Sequence, residues 1–349
     1  MRASGPRAAR FRAARFRASR PRAVAAFAVL ALGASAAAAA AGPPARRLSC
    51  GEVITADVRL AADLECSGTR GLVVRADGVD VDLGGHRVTG PRLTTDLPSD
   101  SYGISVEAHD VTVRDGRVAG WDVGVRVGVE ERWSPRDPGT ATRQGAPGSA
   151  VLRDLRLELD GSGALVGVEG AALLTGSVLR GNNTGAAVAG RLVVTRSTVE
   201  GNFTGLGVEG GGDAPSLAVR ASRLEHNDIA LLCRRPGLLV EQSELTGNDT
   251  GLLADGCSPW TVRESRFEAN GRHLWLDGSG PGTLACTVLT EPGPGSGSRL
   301  GSGPRSTGPG GPEGVEVAPC APRPVPPLAP GVPAGGVGTG APPPAVPTP

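Results

Sequence analysis

Between Ala171 and Leu276 apolar residues recur in pairs separated by a single residue: Leu192 and Val194, Leu217 and Val219, Leu238 and Val240, Trp260 and Val262. A spacing of two is strand periodicity, and no helical stripe interrupts it. The pairs themselves repeat. A Ser follows each pair, at Ser197, Ser222, Ser243 and Ser265, with an earlier copy at Ser177. Five residues after each Ser stands an Asn: Asn182, Asn202, Asn227, Asn248 and Asn270. Three residues further on come Gly185, Gly205, Ala230 and Gly251, then short runs such as Leu206-Gly207-Val208 and Leu252-Leu253-Ala254. A phrase written five times at intervals of 20 to 25 residues is the mark of a solenoid.

Each copy reads as three short strands joined by turns. Stacked at about 4.8 Å per coil, such copies make a right-handed parallel β-helix, all-β, with about ten coils of three short strands. Stacking turns the Asn positions into a structural ladder (Asn182, Asn202, Asn227, Asn248, Asn270) whose amides pair within a buried turn, and the Ser positions into a second column. Gly185, Gly205 and Gly251 are expected to supply the positive φ of the turn into the third strand.

The rest of the chain divides around this repeat. Met1–Arg22 is basic, Ala23–Leu32 apolar and Gly33–Ala41 small and Ala-rich, the three regions of a secretory signal peptide over residues 1–41. The apolar run is too short for a membrane span. A linker (42–49), the β-helix (50–290) and a Pro/Gly-rich low-complexity tail (291–349) follow. The last 59 residues hold 17 of the 30 Pro, a composition that cannot build a core and is expected to be disordered. Two excursions break the early coils, Pro91–Ser101 and Val129–Gly148, and a shorter one runs from Glu209 to Pro215. The second and third leave the coil at the same slot, so both are expected on one edge, where solenoids place binding loops.

Charge changes meaning once the leader is set aside. Lys is absent and residues 1–41 carry eight Arg and no acid, so the remainder has 28 Arg against 35 acidic residues, net −7. An acidic chain without a basic cluster is a poor nucleic-acid partner. Six Cys in an exported chain favour oxidation. Cys50 and Cys66 flank a strand and turn that can fold back and join; Cys233 and Cys257 lie one coil apart; Cys286 and Cys320 bracket the C-terminal end. No Cys-x-x-Cys occurs and His86, His109, His226 and His273 are scattered, so no metal and no cofactor is expected. The Asn-x-Thr triplets at Asn182, Asn202 and Asn248 match glycosylation sequons, but the ladder already accounts for them.

Asp82-Leu83-Gly84-Gly85-His86, followed by the Ser/Asn/Gly coils, resembles the right-handed parallel β-helix proteins of the pectin-lyase-like superfamily over roughly residues 50–290. That resemblance implies the fold; the superfamily's activities are too varied to imply one. Its lyases present outward carboxylates with an Arg or Lys as base, and the matching candidates here are Asp80, Asp82 and Arg114. The bland reading of that trio is a surface ion pair. In the regular coils the outward column Thr175, Thr195, Arg220, Glu241, Arg263 alternates its charges, which pairs them within the protein. A second outward column, Arg126, Ala187, Gly207, Leu232, Leu253, Trp275, becomes apolar toward the C-terminus. The excursion at 129–148 gathers Trp133 with Arg132, Arg136 and Arg143, a planar apolar face beside forked donors. The expected role is therefore a secreted, non-catalytic scaffold binding a polysaccharide or cell-surface glycan, with these residues and Trp275 as ligand contacts. The alternative is a polysaccharide lyase or glycoside hydrolase with an atypical site at Asp80, Asp82 and Arg114. Oligomeric state is not legible.

Overall fold

A computed structural model describes residues 43–91, 101–134, 137–209, 216–290 and 315–318, and the side chains of these except 131–143 and 317–318. The signal peptide expected at 1–41, most of the Pro/Gly-rich tail, residues 92–100 and 210–215, Arg136 and Cys320 lie outside the described residues.

The described residues form a parallel β-helix. One coil shows the plan. Gly170–Thr175, Val178–Arg180 and Thr184–Val188 are its three strands, and the next coil repeats them as Arg191–Thr195, Thr198–Glu200 and Thr204–Val208. Like strands pair in parallel, Leu174 with Val194, Leu179 with Val199 and Ala186 with Leu206. The first two strands of every coil join one long sheet; the third strands stack into a ten-stranded sheet from Glu52–Ile54 to Arg272–Asp277. The long sheet ends on Val315–Ala318, which falls in the stretch read as tail and pairs in parallel with Gly282–Ala285.

The core is what the alternation requires. Leu192, Val194, Val199, Leu206 and Val208 fill one coil, and Leu217, Val219, Leu224, Leu231 and Cys233 fill the next, all buried. Each fully buried aliphatic side chain contributes about 1.5–3 kcal/mol against chain entropy.

The two polar columns lie at the turns. Each Ser Oγ accepts the backbone N–H of the Ser one coil earlier, at 3.2 Å from Ser177 through Ser243, and donates to the carbonyl two residues before it. Each Asn Oδ1 accepts both the N–H and the Nδ2–H of the Asn before it at 2.9–3.0 Å, from Asn182 through Asn248. These side chains take up backbone groups that a turn would otherwise leave unpaired in a dry interior.

One expectation needs correction. Gly185, Gly205 and Gly251 do not have positive φ. The left-handed residues stand immediately before each marker: Gly176, Arg196, Ala221, Gln242 and Glu264 before the Ser, and Gly181, Gly201, His226, Gly247 and Ala269 before the Asn. Non-glycine residues bear that conformation because the marker side chain holds the turn closed. What the column of glycines supplies is close backbone approach. A Cβ on Gly185 would stand 2.3 Å from the Gly205 carbonyl oxygen, and one on Gly205 2.5 Å from that of Ala230.

Candidate functional site

Asp80, Asp82 and Arg114 do come together, on the outer face of the long sheet where the register sets Asp80 against Thr112 and Asp82 against Arg114. The Arg114 guanidinium is fully committed. Its Nε donates to both Asp80 oxygens at 3.0 and 3.1 Å, NH2 lies 3.0 Å from Asp82 Oδ2 and NH1 donates to Asp115. Asp82 is buried, accepts the Gly84 N–H at 2.7 Å and has Arg59 Nε at 3.6 Å on its other side. Burial acts to lower the Arg114 pKa, but the hydrogen bonds it donates to Asp115 and Asp80 and the charges of Asp80 and Asp82 outweigh that and raise it above its ordinary value. A guanidinium so held keeps its proton in the resting protein. The same pattern returns further along the face, where Glu241 lies between Arg220, at 2.7 Å, and Arg263. The alternation of charge therefore pairs within the protein.

The excursion at 129–148 is an antiparallel hairpin, Glu130–Ser134 with Asp137–Gln144, rather than a structureless loop. Backbone register sets Trp133 opposite Ala141, Arg132 opposite Thr142 and Arg143 opposite Glu131; the side chains of these residues, and Arg136 altogether, lie outside what is described. Val129 forms an antiparallel bridge with Val168, and Arg126 lies beneath, 3% exposed although it is on the outer face of the ten-stranded sheet. Its guanidinium sits 4.3 Å from the Tyr102 ring centroid, donates to Ser105 Oγ at 2.8 Å and to Gln144 Oε1 at 3.3 Å, and pairs with Glu107 and Glu130. The hairpin lies between Val123–Val127 of the ten-stranded sheet and Gly148–Glu158 of the long sheet; the excursion expected from Glu209 to Pro215 falls in sequence between Thr204–Val208 and Ser216–Arg220 of the same two sheets, and its residues 210–215 lie outside the described residues.

The second outward column, Arg126, Ala187, Gly207, Leu232, Leu253 and Trp275, is in register along the ten-stranded sheet, with Leu165, which the sequence reading left out, between Arg126 and Ala187. Trp275 is 43% exposed, with the Arg272 guanidinium 4.4 Å above its ring. Sequence reasoning missed a matching apolar column on the long sheet, Val151, Leu173, Val193, Ala218 and Leu239. All five are half-buried on the outer face. The signal was available: each stands between two inward apolar residues, as in Leu192-Val193-Val194, where a polar residue would mark an ordinary solvated face.

The remaining candidates are structural. His86 Nδ1 lies 3.1 Å from Asp63 Oδ1, and the Arg87 N–H, followed by His86, holds the Asp63 carboxyl below the usual range even against some burial. The sequon residues Asn182, Asn202 and Asn248 are at most 4% exposed and spend their amides in the ladder, so they cannot accept a glycan in the folded protein. Cys50–Cys66 and Cys233–Cys257 are disulfides, and Cys286 is disulfide-bonded too. Among the described residues, no three His, Cys, Asp or Glu side chains group as metal ligands would.

No protein-family model and no curated protein matches the sequence. Solved structures do. The chain is similar to the Agl-KA catalytic domain, with 12% identity and a TM-score of 0.45 over 68% of this chain and 55% of that one. It is also similar to pectate lyase Pel9A, with 10% identity and a TM-score of 0.37 over 70% of this chain and 69% of that one. A third is the tailspike protein of E. coli bacteriophage HK620, solved in complex with a pentasaccharide, with 13% identity and a TM-score of 0.34. The chain spans about half the length of the first and third, 55% and 52% respectively. The fold is a parallel β-helix. The strand pairing within the chain itself shows it.

Proposed function

We propose that this parallel β-helix is an exported, non-catalytic scaffold that binds a polysaccharide or a cell-surface glycan. The observation that carries the reading is the commitment of Arg114. The best catalytic trio is a closed ion-pair network with a protonated guanidinium, and the outward carboxylate farther along, Glu241, is paired as well. The outer faces also carry apolar columns, through Val193 on the long sheet and through Leu253 to the exposed Trp275 on the ten-stranded sheet; the first runs beside the mixed column Thr175, Thr195, Arg220, Glu241 and Arg263, and a sugar's ring C–H face packs on apolar surface while its hydroxyls meet polar groups. The reading assigns ligand contacts to Arg132, Trp133, Arg136 and Arg143 of the excursion at 129–148 and to Trp275. Export agrees with the disulfides.

The test is affinity electrophoresis of the protein without its leader through gels containing a panel of acidic and neutral polysaccharides, with parallel detection of unsaturated and reducing ends. Retardation without products is expected. Products from any polysaccharide would replace binding by lyase or hydrolase chemistry, and Asp80, the most exposed carboxylate of the trio, would be the first residue to substitute.

A further inference from the structure

The ladder slot one coil before Asn182 holds a carboxyl group, Asp160, 2% exposed. It is bonded as a rung on one side. Its N–H donates to Asn182 Oδ1 at 2.9 Å, and its Oδ1 accepts the Trp121 N–H at 2.8 Å. The other oxygen breaks the pattern. In every later coil of the ladder the amide nitrogen at this place donates to a carbonyl one coil earlier: Asn182 Nδ2 to Leu157 O, Asn202 Nδ2 to Leu179 O, Asn227 Nδ2 to Val199 O, Asn248 Nδ2 to Leu224 O and Asn270 Nδ2 to Leu245 O, at 2.8–3.1 Å. Leu157 pairs with Val118, so the matching carbonyl for Asp160 is that of Val118. The glycine column independently places Oδ2 where the amide nitrogen stands elsewhere: a Cβ on Gly163 would meet Asn182 Nδ2 at 3.1 Å, and one on Gly124 would meet Asp160 Oδ2 at 2.5 Å. Oδ2 is buried and accepts no hydrogen bond. An ionised carboxylate there would set oxygen against oxygen in a dry slot.

We propose that Asp160 is kept as the neutral acid, its Oδ2–H donating to the Val118 carbonyl in place of an amide, so that the first rung of the ladder is a pH-sensitive element of the fold. The charged groups around it do not neutralise an ionised form. Glu158, on the same strand, is paired with Arg117, and Asp122, on the adjoining coil, accepts the Ser101 N–H at 3.1 Å. Burial is the main reason the Asp160 carboxyl is pushed well above its ordinary value; the Trp121 and Gly120 N–H groups pull the other way, and Glu158 adds to the rise. The sign follows from linkage. The folded state binds this proton more tightly than the unfolded chain, so the stability associated with it is complete below the unfolded value of 3.8 and is lost progressively as pH rises toward the folded value.

The experiment compares thermal midpoints of the wild type and Asp160→Asn from about pH 4 to about pH 9, beside infrared spectra of both at neutral pH. The Asn amide donates to Val118 without a proton to lose. The midpoint difference in favour of Asp160→Asn is therefore expected to widen with pH, with a linked uptake of about one proton by the folded wild type. The wild type at neutral pH is expected to show the carbonyl band of a protonated side-chain carboxyl, absent from Asp160→Asn. Parallel pH profiles for the two proteins would overturn the proposal. If Asp160→Asn does not fold, the wild-type spectrum decides, and absence of the protonated band at neutral pH overturns it.

Discussion

Asn227 sits in the middle of the ladder and shows what one residue contributes. Its Nδ2 donates to Val199 O, Glu225 O and Asn248 Oδ1, and its Oδ1 accepts two N–H groups of Asn202. Replacement by Leu keeps the volume and strands several of these groups in a slot that water does not reach. Asn227→Leu is expected to lose about 1–3 kcal/mol, read from urea unfolding. A midpoint equal to that of the wild type would mean the ladder does not hold the turn. Residue identity at this position was legible from the repeat. The left-handed residue before each marker was not, because Arg196, Ala221, Gln242 and Glu264 share no side-chain property; only the closed turn forces their φ.

At the scale of elements the hairpin is the instructive case. Its sequence, Glu130-Glu-Arg-Trp-Ser through Thr140-Ala-Thr-Arg-Gln144, has no repeat to be read against, and its strands pair with each other rather than with the coils. Arg126 fixes where it sits. Arg126→Met would remove the charge shared by Glu107 and Glu130 and the bond to Gln144. Because Glu107 keeps Arg75 at 3.0 Å, the expected destabilisation is at or below ~3 kcal/mol, the low end for a broken buried pair. Hydrogen exchange should rise in residues 131–143 while the coils from Ala171 onward stay protected. Unchanged exchange in the hairpin would show that the Val129–Val168 bridge suffices. Replacing residues 130–147 by a short Gly-Ser turn is the complementary test: the coils should still fold, and retardation in whichever polysaccharide gel slows the wild type should be lost. Retained retardation would shift attention to the apolar columns ending at Trp275.

Across the whole molecule, stability is close to a sum of coils and their interfaces, so the ends matter most. Cys50–Cys66 closes the first coil, over a separation of 16 residues. A peptide map of protein produced under oxidising conditions is expected to show that bond, Cys233–Cys257 and a third disulfide containing Cys286. Free Cys50 and Cys66 thiols would remove the N-terminal closure.

The sequence by itself determined the architecture, because a parallel β-helix writes its geometry along the chain: period 2 sets which side chains face in, the 20–25-residue period sets what stacks on what, and the turn polar groups must recur wherever the turn recurs. The five Asn, the five Ser and the outward columns ending at Arg263 and Trp275 were readable for that reason, and the Cys50–Cys66 bond from the strand and turn between its ends; the apolar column through Val193 was missed. Tertiary structure alone decided what breaks the period. The glycine column is set by backbone approach between coils, the pairing of Asp82 with Arg59 as well as Arg114 by side chains meeting across three strands, and the neutral slot of Asp160 by a carbonyl 42 residues earlier in the chain at Val118. Distances between coils carry those effects, and a single chain read in order holds no measure of them.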